Sequence, residues 1–125
     1  MNLNQVTLPC TSYDASVAFY RQLGFKQIVA SPPRYARFEC ESGATFSLHL
    51  SSVAQSQAEG AVIYFEVKNL DATIASLKDK GIQFDSDPVD QSWLWREAYL
   101  RDPAGNKLCL YFAGQNRRFP PWRLK

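Results

Sequence analysis

Apolar and polar residues alternate along most of this chain, and two stretches replace the alternation with helical spacing. Residues 3–10 place Val6 and Leu8 on one face and Gln5 and Thr7 on the other, which predicts a first strand. Tyr13, Val17 and Tyr20 then recur at i, i+4 and i+7. Thr11 or Ser12 stands where an N-cap belongs, and Gly24 where a left-handed residue ends a helix. Strands follow at residues 25–30, 35–40 and 45–50, parted by turns at Ser31-Pro32-Pro33 and Glu41-Ser42-Gly43.

The same order then returns. Residues 61–67 read as a strand; Asn69 stands at a helix start; Leu70, Ile74 and Leu77 share a helix face, and Gly81 closes it. Strands are expected at residues 82–84, 93–100 and 107–112, the last two flanking the turn Asp102-Pro103-Ala104-Gly105. Helix face, helix stop and hairpin turn all repeat, so the chain is an internal duplication of a β-α-β-β-β module. The expected organisation is one α+β domain over residues 1–125: module one 1–50, a small and polar linker 51–60, module two 61–114 and a tail 115–125.

Alternation also sorts the strand residues by face. Val6, Leu8, Phe38, Phe46, Leu48, Ile63, Phe65, Leu100, Leu108 and Leu110 share the phase expected to meet the helices. Gln5, Tyr35, Arg37, Ser47 and His49 take the opposite phase in the first half. Tyr64, Glu66, Trp95, Glu97, Tyr99, Cys109 and Tyr111 take it in the second.

Composition narrows the picture. At 125 residues and 46% hydrophobic, the chain is long enough for a real core. Its net charge of +2 comes from Arg117, Arg118, Arg123 and Lys125; without them 10 Lys and Arg face 12 Asp and Glu, so no basic face argues for nucleic acid. Three widely spaced cysteines make neither a disulfide framework nor a zinc motif. No leader pattern and no apolar run of membrane-spanning length is visible, and the expectation is a cytoplasmic protein with no membrane partner.

Tyr13-Asp14-Ala15-Ser16-Val17-Ala18-Phe19-Tyr20 with Leu23-Gly24-Phe25, then Val67-Lys68-Asn69-Leu70-Asp71, then Asp102-Pro103-Ala104-Gly105-Asn106 before a strand, together resemble the vicinal oxygen chelate superfamily: glyoxalases, bleomycin-resistance proteins and extradiol dioxygenases. The resemblance implies paired βαβββ modules with curved mixed sheets, helices on the convex side and a concave cleft that often holds a divalent metal. It also implies frequent homodimers. The metal positions of the family fall here on Gln5, Ser47, Val62 and Cys109, of which only Gln5 suits hard oxygen chemistry.

The residues themselves leave several roles open. His49 is the only histidine, a candidate base or shifted metal ligand, or else a polar side chain satisfied by Tyr35 or Glu97. Glu66 and Glu97 are expected either to ion-pair with Arg37 or, for one of them, to act as a general base. Cys109 reads as a small buried hydrophobe rather than a nucleophile. Trp93, Trp95, Tyr35, Tyr64, Tyr99 and Tyr111 suit a planar ligand, with Arg37 for an anionic group, and equally suit a dimer interface. The leading expectation is therefore metal-free binding of a small aromatic molecule, with His49 and Glu97 orienting it and no cofactor. The alternatives are a metal-dependent lyase, isomerase or dioxygenase using Gln5, His49 and Glu97, and a partner-binding module.

Overall fold

In the computed structural model, residues 1–52 and 60–125 are described; the linker expected at 51–60 lies, apart from its ends, outside them. The chain forms two compact units: Met1–Gly60 together with Asp102–Asn106, and Ala61–Arg101 together with Lys107–Lys125.

In the first unit the elements run β1 (Gln5–Cys10), α1 (Tyr13–Gln22), β2 (Lys26–Ser31), β3 (Tyr35–Glu39) and β4 (Thr45–Leu50). The sheet order is β1-β4-β3-β2, with β1 parallel to β4 and the other neighbours antiparallel. Helix α1 opens where Ser12 Oγ accepts from the Ala15 amide at 3.4 Å, and it ends before Gly24, whose φ of +101° suits a residue without Cβ. Its buried stripe runs through Ser16 and Tyr20, whereas Tyr13 and Val17 are only half-buried. Of the face expected at Tyr13, Val17 and Tyr20, Tyr20 is buried as expected, and Ser16 joins it in place of the other two. The Tyr20 ring packs against Phe38 at 5.7 Å and Phe46 at 4.9 Å between ring centroids.

The second unit repeats the plan with β5 (Val62–Glu66), α2 (Leu70–Asp79), β6 (Val89–Asp90), β7 (Arg96–Arg101) and β8 (Lys107–Phe112) in the order β5-β8-β7-β6. Here the predicted helix face holds: Leu70, Ile74 and Leu77 are all buried, and Gly81 has φ +93°. Two strand expectations change. Residues 82–84 form no strand, because Ile82 folds back on α2, its amide donating to the Leu77 carbonyl at 3.0 Å, and its burial comes from that packing. Residues 93–95 form the turn between β6 and β7 rather than the start of β7, with Leu94 at φ +70° and its amide on the Gln91 carbonyl at 3.0 Å.

Both units are thus α+β modules of one helix and a four-stranded mixed sheet, with one sheet face covered by the helix. The other face carries the polar and aromatic side chains.

Candidate functional site

On the helix-free face of the first sheet, register decides which side chains meet. Thr45 lies beside Gln5 and Ser47 beside Thr7 in the parallel pair, while Arg37 lies opposite Ser47 and Tyr35 opposite His49 across the hairpin. Four of these side chains form one hydrogen-bonded chain. Gln5 Nε2 donates to Ser47 Oγ at 2.8 Å, Ser47 Oγ lies 2.6 Å from Tyr35 Oη, and Arg37 Nε donates to Tyr35 Oη at 2.9 Å. Ser47 is fully buried, while Tyr35 and Arg37 are half-buried. The Ser47 hydrogen bond, with help from Arg37, holds the Tyr35 phenol below its ordinary pKa against a smaller opposing effect of burial.

His49 is exposed and stands outside this chain, although it is the cross-strand neighbour of Tyr35. Thr45, absent from the residues expected at the site, donates to Gln5 Oε1. Its signal was available, since it precedes Ser47 by two residues and shares its face.

The corresponding face of the second sheet is aromatic. Trp95 and Tyr111 stack at 4.8 Å with 27° between their planes, and Tyr64 meets both edge-on, at 5.8 Å from Trp95 and 5.4 Å from Tyr111. Tyr64 is 42% exposed, while Tyr111 is buried. Beside this trio, Glu97 is only 2% exposed; Trp93 Nε1 donates to its Oε2 at 3.1 Å and Tyr99 Oη to its Oε1 at 2.8 Å. Both donors are neutral. Lys107, likewise absent from the expected residues, sits 4.8 Å from the centre of the Tyr99 ring.

The remaining expected residues have local duties. Glu66 Oε2 accepts from the amides of Ala113 and Gly114, both at 2.9 Å, and so anchors the 3₁₀ turn Gly114–Arg117. Cys109 is fully buried against Tyr111 and Ala113; burial, then the Glu97 charge, pushes its thiol up to about 12. That is the chemistry of a packed thiol rather than a nucleophile. Within its own unit each of these charges has local partners: Tyr35 for Arg37, Trp93 and Tyr99 for Glu97, backbone amides for Glu66.

Fold and sequence together connect this arrangement to known proteins. A family model of the Glyoxalase/Bleomycin resistance protein/Dioxygenase superfamily matches residues 2–110. The chain belongs to this superfamily. No curated protein matches it in sequence. Among solved structures, it is similar to a glyoxalase/bleomycin resistance protein/dioxygenase from Nocardioides, with TM-score 0.79 and 23% identity over 100% of this chain and 90% of the other. It is also similar to a bleomycin-binding protein complexed with bleomycin, with TM-score 0.73 and 22% identity over 90% and 98%. A lactoylglutathione lyase from Agrobacterium tumefaciens gives TM-score 0.74 and 19% identity over 98% and 97%.

The positions at which the resemblance implies a divalent metal offer poor donors, each taken within its own unit. Gln5 and Ser47 spend their polar atoms on each other, on Thr45 and on Tyr35; Val62 has no donor atom; and Cys109 keeps its proton far above neutral pH. Among the described residues, no three His, Cys, Asp or Glu side chains gather as a metal site. The register also keeps Gln5 apart from His49, whose partner in β1 is Pro9, four residues and about 13 Å along the strand.

Proposed function

We propose that this superfamily member binds a small aromatic molecule on the helix-free face of its second sheet and without a metal. One observation carries the reading: Tyr64, Trp95 and Tyr111 form a platform of ring faces and edges on a sheet surface that its own helix leaves uncovered. Aromatic surface with polar tips favours a planar ligand, by stacking at roughly 0.5–1.5 kcal/mol per ring pair beyond area burial. Glu97 and Tyr99 place polar groups at the platform's edge. The bleomycin-bound neighbour supports a ligand-holding role for this fold, and the donor set at Gln5, Ser47, Val62 and Cys109 argues against oxygen-chelating metal chemistry.

The test is a tryptophan-fluorescence titration with a panel of aromatic carboxylates, in wild type and in Trp95→Ala and Tyr64→Ala. Saturable quenching that weakens at least about tenfold in either variant supports the reading. Saturation unchanged in both variants overturns it.

A further inference from the structure

The hydrogen bonds around Tyr35 leave its own proton only one place to go. Gln5 Nε2 lies 3.2 Å from the Val6 carbonyl, and Gln5 Oε1 accepts from Thr45; the amide is therefore oriented with its NH₂ toward Ser47. Ser47 Oγ thus receives a proton from Gln5. Because Ser47 is fully buried, its hydroxyl proton needs an acceptor, and Tyr35 Oη at 2.6 Å is the one in reach. Were Tyr35 instead to donate to Ser47, the buried serine proton would be stranded. Arg37 Nε–H supplies a second donor to the same phenol oxygen at 2.9 Å. The phenol oxygen thus accepts from Ser47 and from Arg37, and since neither partner can accept its proton the O–H points away from the chain.

We propose that Tyr35 Oη–H and the unused N–H groups of Arg37 form a two-donor subsite for a carboxylate-type oxyanion, with Gln5 and Ser47 fixing Tyr35 as a donor. This rests on the ligand-binding reading above and adds, within the first unit, the chemistry of an anionic group. At Tyr35 and Arg37 an arriving group meets donors. A carboxylate is accepted; an ammonium, which has no acceptor, is refused. Around this subsite the neighbouring strands present exposed His49 and, on β2, Ser31; among the described residues of this sheet the Glu39 carboxylate lies four residues along β3 and pairs with Lys26 at 3.6 Å.

The experiment uses the full chain and three probes: benzoate, acetate and benzylamine. The Arg37 Nε–H resonance and the Tyr35 ring resonances are followed by NMR, alongside tryptophan fluorescence. Both carboxylates should move the Arg37 signal and benzylamine should not. Tyr35→Phe should weaken benzoate, as read at the Arg37 signal, roughly tenfold or more, as expected for a hydrogen bond to a charged group. Ser47→Ala, which opens an acceptor position on Tyr35, should narrow the preference for benzoate over benzylamine, an effect that mere loosening of the fold does not produce.

An Arg37 signal indifferent to both carboxylates, or benzoate affinity unchanged in Tyr35→Phe, overturns the subsite. Failure of the aromatic platform has a different signature: acetate and benzoate bind equally and no fluorescence changes, while the Arg37 signal still moves. That last result leaves the subsite supported.

Discussion

The Tyr20 hydroxyl donates to Asp102 Oδ2 at 2.6 Å, joining helix α1 to a turn 82 residues further along the chain within the first unit. Asp102 also accepts from the amides of Ala104 and Asn106 and from Asn106 Nδ2, which in turn reaches the Pro9 carbonyl. Its carboxylate is buried and satisfied by neutral donors. Tyr20→Phe keeps the ring packing and removes one of these donors. A loss of about 1–3 kcal/mol in unfolding free energy is expected, measured by urea denaturation. A change below about 0.5 kcal/mol would show that Asp102 needs no help from Tyr20.

The alkaline limb of stability follows from buried thiols and phenols. Unfolded Cys109 loses its proton near its ordinary 9.0, whereas in the fold it does so only near about 12. Between those values the folded state holds more protons than the unfolded one, so stability falls as pH rises. Tyr20, Tyr99 and Tyr111 are also shifted upward, chiefly by burial, and act in the same direction at higher pH. The contribution is intact below about pH 9 and is lost on the way to about pH 12. Denaturation midpoints compared at about pH 8 and pH 10.5 should fall; equal midpoints would contradict the assignment.

Glu97 connects to the same thiol. Its negative charge is the second cause of the Cys109 shift, after burial. Glu97→Gln should therefore lower the Cys109 pKa part of the way toward its ordinary value and quicken alkylation of that residue, read by mass spectrometry of the labelled peptides. The new amide can keep its oxygen on Trp93 Nε1 and turn its NH₂ to Tyr99 Oη, which then accepts instead of donating. Unaltered alkylation of Cys109 would mean that burial alone sets its chemistry.

Gly24 and Gly81 close the two helices at φ +101° and +93°, and a Cβ at either would meet open space. The cost of Gly→Ala is thus one of backbone conformation alone, about 1–2 kcal/mol at each site. Because the sites lie in different units, the two losses should add in the double variant. Thermal or urea unfolding of the single and double variants checks this, and a neutral substitution at either glycine would contradict the left-handed cap.

Much of this was legible in the sequence because the strongest signals are local. The Asp102-Pro103-Ala104-Gly105 turn sets the register that places Glu97 opposite Tyr111 and Tyr99 opposite Cys109, and alternation alone sorts both sheet faces. What the sequence hid depends on contacts distant along the chain. The apolar residues at 82 and 84 resemble a strand, but Ile82 is buried by the end of α2; the short strand at Val89–Asp90 has too few residues to show any period. Trp93 and Trp95 alternate as strand residues do, yet a left-handed Leu94 makes that segment a turn, from which Trp93 still reaches Glu97. Within the site, residue types were visible but their pairings were not. Arg37 bonds to Tyr35 on its own strand, and Glu66 is taken up by the backbone at Ala113 and Gly114.

The most direct measurement is the affinity of benzoate for protein stripped of metal by EDTA, read by tryptophan fluorescence, repeated after adding back a divalent ion, and compared with Trp95→Ala. The account predicts saturable binding in the stripped protein, unchanged by the added ion and weakened by the substitution. Binding that appears only when the ion is restored would contradict it.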